Sequence, residues 1–316
     1  SYVDLWAVND DGIQNWAGVW DGSGVPMLAS VAALDVPDGE SVPLPTDPAP
    51  VLPPEPPPLP APDSQPSTTD GDSPDMATPP AVSLPGLQQG TDGPDVLIGG
   101  RGTDVLLGGA ANDFLAGERG DNVVDGGAGN DWLSHAFARK PLEIDLSDPL
   151  PQATGRSTDL IRGVENLQGG KGGDRLTGDA GANILDGMGG RDRINGGAGA
   201  DVIIGGRGRD WLDGGADRDA DTFVFRQAAD SPRAGGGDRV LNFVSGVDHI
   251  DLSRIDARPD LAGSQSLGLA DGLADHAVWL QAGALGTAVL ADVTGDGRAD
   301  LRVFVLGIVT VDDLIL

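Results

Sequence analysis

Between Gly90 and Thr222 single large apolar residues recur at a fixed interval of nine. Leu97, Leu106, Leu115, Val124 and Leu133 hold the position in a first block, and Leu176, Leu185, Ile194, Ile203 and Leu212 in a second. Helical spacing and a long alternating strand both place apolar residues more densely than this. A three-residue strand in each unit accounts for it, with the central side chain pointing inward and its two neighbours outward. Two positions before each apolar residue stands Asp95, Asp104, Asp113, Asn122 or Asp131, then Asp174, Asn183, Asp192, Asp201 or Asp210. Units open at Gly90, Gly99, Gly108, Gly117 and Gly126, then at Gly169, Gly178, Gly187, Gly196, Gly205 and Gly214. The unit reads G-G-x-G-x-D-x-U-x, with U large and apolar. The pattern predicts an all-β stack around a narrow core.

A Gly/Asp-rich tract is ordinarily a solvated, flexible one. Eleven starts in a phase of nine, interrupted once, with an apolar residue at a fixed offset in ten of them, decide against that here. A row of carboxylates in register repels itself, more strongly as the local dielectric falls. A cation between them is therefore expected. Calcium suits the donors, since it takes six to eight oxygens from carboxylates and backbone carbonyls. Glycine allows the unusual backbone angles and the close carbonyl approach that such a loop needs. With so thin a core, metal binding is expected to supply much of the folding free energy.

These units resemble the repeats-in-toxin (RTX) proteins exported by Gram-negative type I secretion. The resemblance implies a parallel β-roll in which two nonapeptides make one coil and each calcium lies between loop n and loop n+2. It also implies ligands from the sixth-position side chain and from the carbonyls of positions two and four. On this chain those are Asp95; Gly100, Gly102 and Asp104; Gly109 and Asp113; Gly127, Gly129 and Asp131; Gly170, Gly172 and Asp174; Asn183; Asp192; Gly197, Gly199 and Asp201; Gly206, Gly208 and Asp210; and Asp219 or Asp221 in the last, lengthened unit. Several units depart from the pattern. Ala111 replaces a glycine, Glu118 and Met188 occupy second positions, and Asn122 and Asn183 replace Asp, so weaker or empty sites are expected there.

The rest of the chain divides around the repeats. Residues 1–35 read as a β-hairpin, Tyr2 to Val8 and Ile13 to Trp20, around the turn Asn9-Asp10-Asp11-Gly12. They hold Trp6, Trp16 and Trp20. Such a hairpin is marginal alone, so it is expected to dock on the chain itself, on another copy or on a surface partner. Residues 36–89 form a linker; 17 of the 24 prolines lie between Val36 and Pro85, a composition that favours extended spacer. The roll spans 90–236, interrupted over 135–168, where Leu142 to Leu146 reads as a strand. In the RTX family such segments continue the coil with degenerate turns. Val96, Phe114 and Trp132 fall on alternate units and form an outward stripe, and Trp211 has the same offset later.

Residues 237–316 resemble the C-terminal module of serralysin-type secreted metalloproteases. The likeness rests on Asp238-Arg239-Val240-Leu241-Asn242-Phe243, on Gly246 to Ser253, on Asp292 to Leu301 and on the closing Val311-Asp312-Asp313-Leu314-Ile315-Leu316. It implies a β-rich C-terminal cap carrying an uncleaved export signal. Asp292, Thr294, Asp296 and Asp300 have the spacing of an EF-hand-like loop, but Val303 stands where the twelfth-position acid belongs. A plain hairpin turn is an equal reading.

Composition narrows the function. A formal net charge of −29 argues against nucleic acid and against anionic membrane surfaces as partners. The absence of cysteine removes disulfides as staples and leaves calcium in their place. No apolar run is long enough to span a membrane, and no basic-plus-apolar leader opens the sequence. Serralysins carry zinc on H-E-x-x-H; His135, His249 and His276 do not have that spacing, and no G-x-S-x-G elbow is present. The expectation is a non-enzymatic, extracellular, calcium-folded RTX protein, secreted or held at the cell surface. It would meet the type I secretion machinery and act as a structural or binding protein, self-assembling or adhesive through residues 1–35. The alternative is an accessory module of a secreted protease, lipase or polysaccharide-modifying enzyme.

Overall fold

The computed structural model describes residues 86–117, 119–258 and 264–316. The hairpin expected over 1–35 and the proline-rich span to residue 85 lie outside the described residues. Short strands supply nearly all the regular structure. The helical elements among the described residues are three 3-10 turns, Ala228–Asp230, Arg233–Gly235 and Val311–Asp313.

Each apolar position at the nine-residue interval becomes the centre of a strand, and alternate units fall on opposite faces. One face is a parallel sheet of nine strands, here called the continuous sheet. It runs Val96–Ile98, Phe114–Ala116, Trp132–Ser134, Asn166–Gln168, Ile184–Asp186, Val202–Ile204, Thr222–Val224, His249–Asp251 and Leu314–Ile315. Its register steps by 18 residues within each block, as Leu97↔Leu115 and Leu185↔Ile203 show. The facing sheet comes in two pieces. The first contains Leu87–Gln89, Val105–Ala110, Val123–Ala128 and Thr158–Arg162, with Gln152–Ala153 antiparallel at its edge. The second starts with Glu143–Asp145, Arg175–Thr177, Arg193–Gly197, Trp211–Gly215 and Asp238–Leu241.

The interruption 135–168 forms one enlarged coil that contributes to both pieces before rejoining the continuous sheet at Asn166–Gln168, beside Trp132–Ser134. The Gln152 side chain ties the seam. Its Oε1 accepts the Asp145 N–H at 2.5 Å, and its Nε2 donates to Asp145 O at 2.7 Å.

Two boundaries differ from the sequence expectation. Leu87–Gln89, placed in the linker, pairs in parallel with Val105–Leu107 as the first strand of the roll. Its inward position is Gln88, whose Nε2 donates to Ile98 O at 2.6 Å, so a polar side chain closes the core there. At the other end nothing separates 90–236 from 237–316. Asp238–Leu241 pairs in parallel with Trp211–Asp213, and His249–Asp251 with Thr222–Val224. One apolar cluster runs from Leu97 through Phe223 and Ile250 to Val309. The C-terminal hairpins Ala277–Ala282, Thr287–Ala291 and Leu301–Val305 extend the facing sheet, joined to Asp238–Val240 by a parallel pairing.

The outward stripe is split. Val96, Phe114 and Trp132 are cross-strand neighbours on the continuous sheet, with Val96 exposed and Phe114 buried. Trp211 belongs to the facing sheet, where the Arg239 guanidinium lies 4.9 Å from its ring centroid.

Candidate metal centre

The sixth-position side chains turn back into the stack. Most lend one oxygen to the backbone of the preceding coil, so that within a block the Oδ1 of residue n+18 accepts the N–H of residue n; Asn183 instead donates its Nδ2 to Glu165 O at 2.8 Å. Asp95 N–H reaches Asp113 at 2.8 Å, Asp113 reaches Asp131 at 2.7 Å, Asp174 reaches Asp192 at 2.7 Å and Asp192 reaches Asp210 at 2.8 Å. The caps form two rows. The row preceding the continuous sheet runs Asp95, Asp113, Asp131, Glu165, Asn183, Asp201, Asp221 and Asp248. Its links include Asp131 N–H to Glu165 Oε2 at 2.8 Å and Asp221 N–H to Asp248 at 3.0 Å. The row preceding the facing sheet is cut at the seam. It runs Asp104, Asn122 and Asp159, then resumes with Asp174, which caps Leu142, and continues through Asp192 and Asp210 to Asp238.

The other carboxylate oxygen is the informative one. The Oδ2 atoms of Asp113, Asp131, Asp159, Asp192, Asp201, Asp210 and Asp238 are buried with no hydrogen-bond partner. An unpaired buried charge is among the costliest groups a fold can hold. Burial accordingly pushes Asp192 and Asp201 up to about 8, with neighbouring carboxylates adding to the shift. Asp210 rises to about 8 by burial and by the Asp238 charge. Burial also takes Asp221 and Asp238 to about 7 and Asp131 to about 6.

The first glycine of the unit makes room for this oxygen. A Cβ on Gly187 would lie 2.7 Å from Asp192 Oδ2 and 2.8 Å from Gly205 O of the next coil. The loops also stack in columns. The carbonyls of Gly109 and Gly197 stand against Gly127 and Gly215, and that of Gly190 stands against Gly208, too close for any side chain at the second residue of each pair. Gly170 and Gly172 pack instead on Ala138 and Lys140 of the interruption, while Gly100 and Gly102 face open space.

Among the described residues no three His, Cys, Asp or Glu side chains converge as a metal cluster. An ion here would take one or two carboxylates and complete its shell from carbonyls, the mixed set that hard cations accept. Rows of buried, donorless carboxylate oxygens beside stacked carbonyls fit such an ion.

Of the two residues left open in the last unit, Asp221 joins the row and caps Asp201 at 3.0 Å; Asp219 is exposed. Asp159, Glu165, Asp238 and Asp248 are row members that the nine-residue pattern missed. Each opens a D-x-U or E-x-U triplet, Asp159-Leu160-Ile161, Glu165-Asn166-Leu167, Asp238-Arg239-Val240 and Asp248-His249-Ile250, without glycine at the first position of the unit, where Thr154, Leu160, Arg233 and Phe243 stand. Asn122 and Asn183 keep their places in the rows, and the Asn122 Nδ2 is buried without a partner. Ala111 and Met188 hold φ of 69° and 65°. In the loop 292–300, Asp292 accepts the N–H groups of Gly295 at 2.6 Å and Gly297 at 2.7 Å, and Asp300 accepts those of Val293 and Thr294 at 2.9 Å. Those carboxylates knit a hairpin turn.

The repeat family is consistent with this geometry. The family model for the RTX calcium-binding nonapeptide repeat (4 copies) matches residues 89–115 and 107–135. The repeats are calcium-binding. Among solved structures, the AlgE6R3 subunit of the Azotobacter vinelandii mannuronan C5-epimerase is 28% identical, covering 46% of this chain and 78% of that one, with a TM-score of 0.35. The AlgE6R2 subunit of the same enzyme is 24% identical over 45% and 87%, at 0.33. The extracellular lipase LipA from Serratia marcescens is 18% identical over 72% and 40%, at 0.29. No curated protein matches. The family model for the peptidase M10 serralysin C terminal matches residues 157–316, so its span takes in the second repeat block as well as the terminal hairpins. That span is just over half of the chain, and the chain belongs to the peptidase M10 serralysin C-terminal family.

Proposed function

We propose that this chain is a secreted structural or binding protein whose roll folds on calcium, outside the cell that exports it. The observation that carries the reading is the set of seven buried carboxylate oxygens in the two rows that have no donor. Bound calcium supplies the positive charge that lets those carboxylates stay ionised inside the stack. On this reading the ligands are the row side chains Asp95, Asp104, Asp113, Asp131, Asp174, Asn183, Asp192, Asp201, Asp210 and Asp221, joined by Asp159, Glu165, Asp238 and Asp248. The stacked second- and fourth-position carbonyls, such as those of Gly109, Gly127, Gly197 and Gly208, complete each shell.

The chain's own part is division of labour within one side chain. In Asp113, Asp131, Asp192, Asp201 and Asp210, Oδ1 holds the neighbouring coil through its N–H and Oδ2 is left for the ion. The Oδ2 of Asp95, Asp104, Asp174 and Asp248 instead accepts an N–H of its own loop. Where calcium is scarce, the formal charge of −29 works against compaction. A ligand that binds only the native state pulls folding forward by mass action. Modules of this family are typical of secreted proteins, and export through a type I machine followed by folding outside is the sequence of events proposed here. Residues 1–35, tethered by the proline-rich span, are the proposed contact to another copy or to a surface.

The test is size exclusion with light scattering and circular dichroism, in chelator and then in millimolar calcium. The expected result is an expanded chain that gains β signal and contracts on adding calcium. An identical profile in both buffers overturns the reading.

A further inference from the structure

The two edges of the roll differ in charge. Loops leading from the continuous sheet to the facing sheet carry cations at their tips, as at Lys171, Arg191 and Arg207, all exposed. These loops stack in register: Lys171 N–H donates to Ala138 O at 2.9 Å, Gly189 to Gly170 O at 3.2 Å and Arg207 to Met188 O at 3.0 Å. The return loops 90–95, 108–113, 126–131, 178–183 and 196–201 contain no Lys or Arg, and the last, lengthened one, 214–221, sets its single cation, Arg218, among Asp217, Asp219 and Asp221. Adjacent coils stand about 4.8 Å apart, so the cations form a ridge along one edge of a strongly acidic molecule.

At the enlarged coil the ridge opens into a cleft of about 620 Å³. Its walls carry Arg101 and Arg119 from successive repeat loops, Arg139 and Lys140 from the interruption, and Arg156 from its second turn. All five are exposed, and none belongs to the Arg175–Glu143 or Arg226–Asp186 ion pair. The acidic residue in the wall, Asp121, already accepts the Thr158 N–H at 2.9 Å. Phe137 lies in the same wall and is 57% exposed. The cleft exists because the nine-residue repeat is broken: the turn at 137–140 leaves the repeat path, and Thr154 to Ser157 closes the side.

We propose that this cleft and ridge bind an acidic polysaccharide bearing one carboxylate per sugar ring. Guanidinium groups pair with carboxylates in a two-pronged geometry, and cations gathered in a cleft focus the field on an incoming anion. The Phe137 ring offers an apolar surface for a sugar face. The remaining charge selects among polyanions. A duplex nucleic acid carries one charge per about 1.7 Å of axis, and a molecule of net charge −29 repels such density over everything outside the ridge. A thin chain with sparser charge gains the same cations at less cost.

The inference rests on the folded roll, not on the ligand set of any calcium site. The test titrates the full chain in calcium with a galacturonic acid tetramer, with a neutral galactose tetramer and with a single-stranded oligonucleotide, by calorimetry. The expected result is binding of the uronate and not of the neutral sugar. Arg101→Gln/Arg119→Gln/Arg156→Gln should bind at least tenfold more weakly with unchanged circular dichroism and calcium content, and Phe137→Ala several-fold more weakly. A folded protein that ignores the uronate, a triple variant that binds it as the parent does, or an oligonucleotide that outcompetes it overturns the proposal. Calcium-induced folding is followed in the same samples, so its failure counts against the calcium reading and loss of uronate binding by a folded roll against this one.

Discussion

Met188 stands where most units carry glycine and holds φ of 65°; Ala111, at a fourth position, holds 69°. A side chain in the left-handed region costs about 1–2 kcal/mol relative to glycine. Met188→Gly and Ala111→Gly should therefore each lower the calcium midpoint for folding, read by circular dichroism, and raise the melting temperature at fixed calcium. Gly187→Ala should do the reverse, because its Cβ has no room between Asp192 Oδ2 and Gly205 O. Equal midpoints for all three would show that loop backbone strain does not limit folding. The carboxylates make a second prediction at this scale. Without metal, Asp192, Asp201 and Asp210 titrate near 8 in the fold, against about 4 in an unfolded chain. The folded state then binds more protons, so its advantage is complete below pH ~4 and is lost as pH rises towards 8. In chelator the chain should be more compact and richer in β signal at pH 5.5 than at pH 8. The opposite order would mean that these oxygens are not buried without their ion.

At the scale of the element, the unit of this fold is a three-residue strand with a carboxylate in front of it. Asp238→Ala should uncap the Asp210 N–H, which it accepts at 2.8 Å, and cost about 1–3 kcal/mol for a buried group left unsatisfied. A raised calcium midpoint is the expected reading, and an unchanged one would show that the Asp238 cap does not limit folding. That residue also shows what was legible in the sequence. Strand centres such as Leu106 and Ile203, and row members such as Asp113 and Asp210, stood out because glycines kept them in phase. Asp159, Glu165, Asp238 and Asp248 serve in the same rows with no glycine opening their units, since only the triplet is needed to cap and to fill the core. Leu87–Gln89 was hidden for a different reason: Gln88 is polar where the pattern asks for an apolar residue, because it closes the core. The choice between Asp219 and Asp221 needed the folded loop, since two extra residues there let the spacing fit either one. The cleft was out of reach too, because its cations come from loops 18 residues apart and from a turn inside the interruption.

Over the whole molecule, the repeats and the serralysin-type segment share one core, so folding of one should not be separable from folding of the other. The seam at the enlarged coil cuts one carboxylate row and spares the other, which Glu165 carries across. The caps also share a direction. Asp113 holds Asp95, Asp192 holds Asp174, and Asp248 holds Asp221; within the carboxylate rows a coil is finished by the one that follows it in the chain. The stack is laid like shingles, each row pinned by its later neighbour. Under limiting calcium, hydrogen exchange should find the amides of Asp210 and Asp221 protected before those of Asp95 and Asp104. Growth would then run against the order of synthesis, with the early repeats waiting open until the last ones have set.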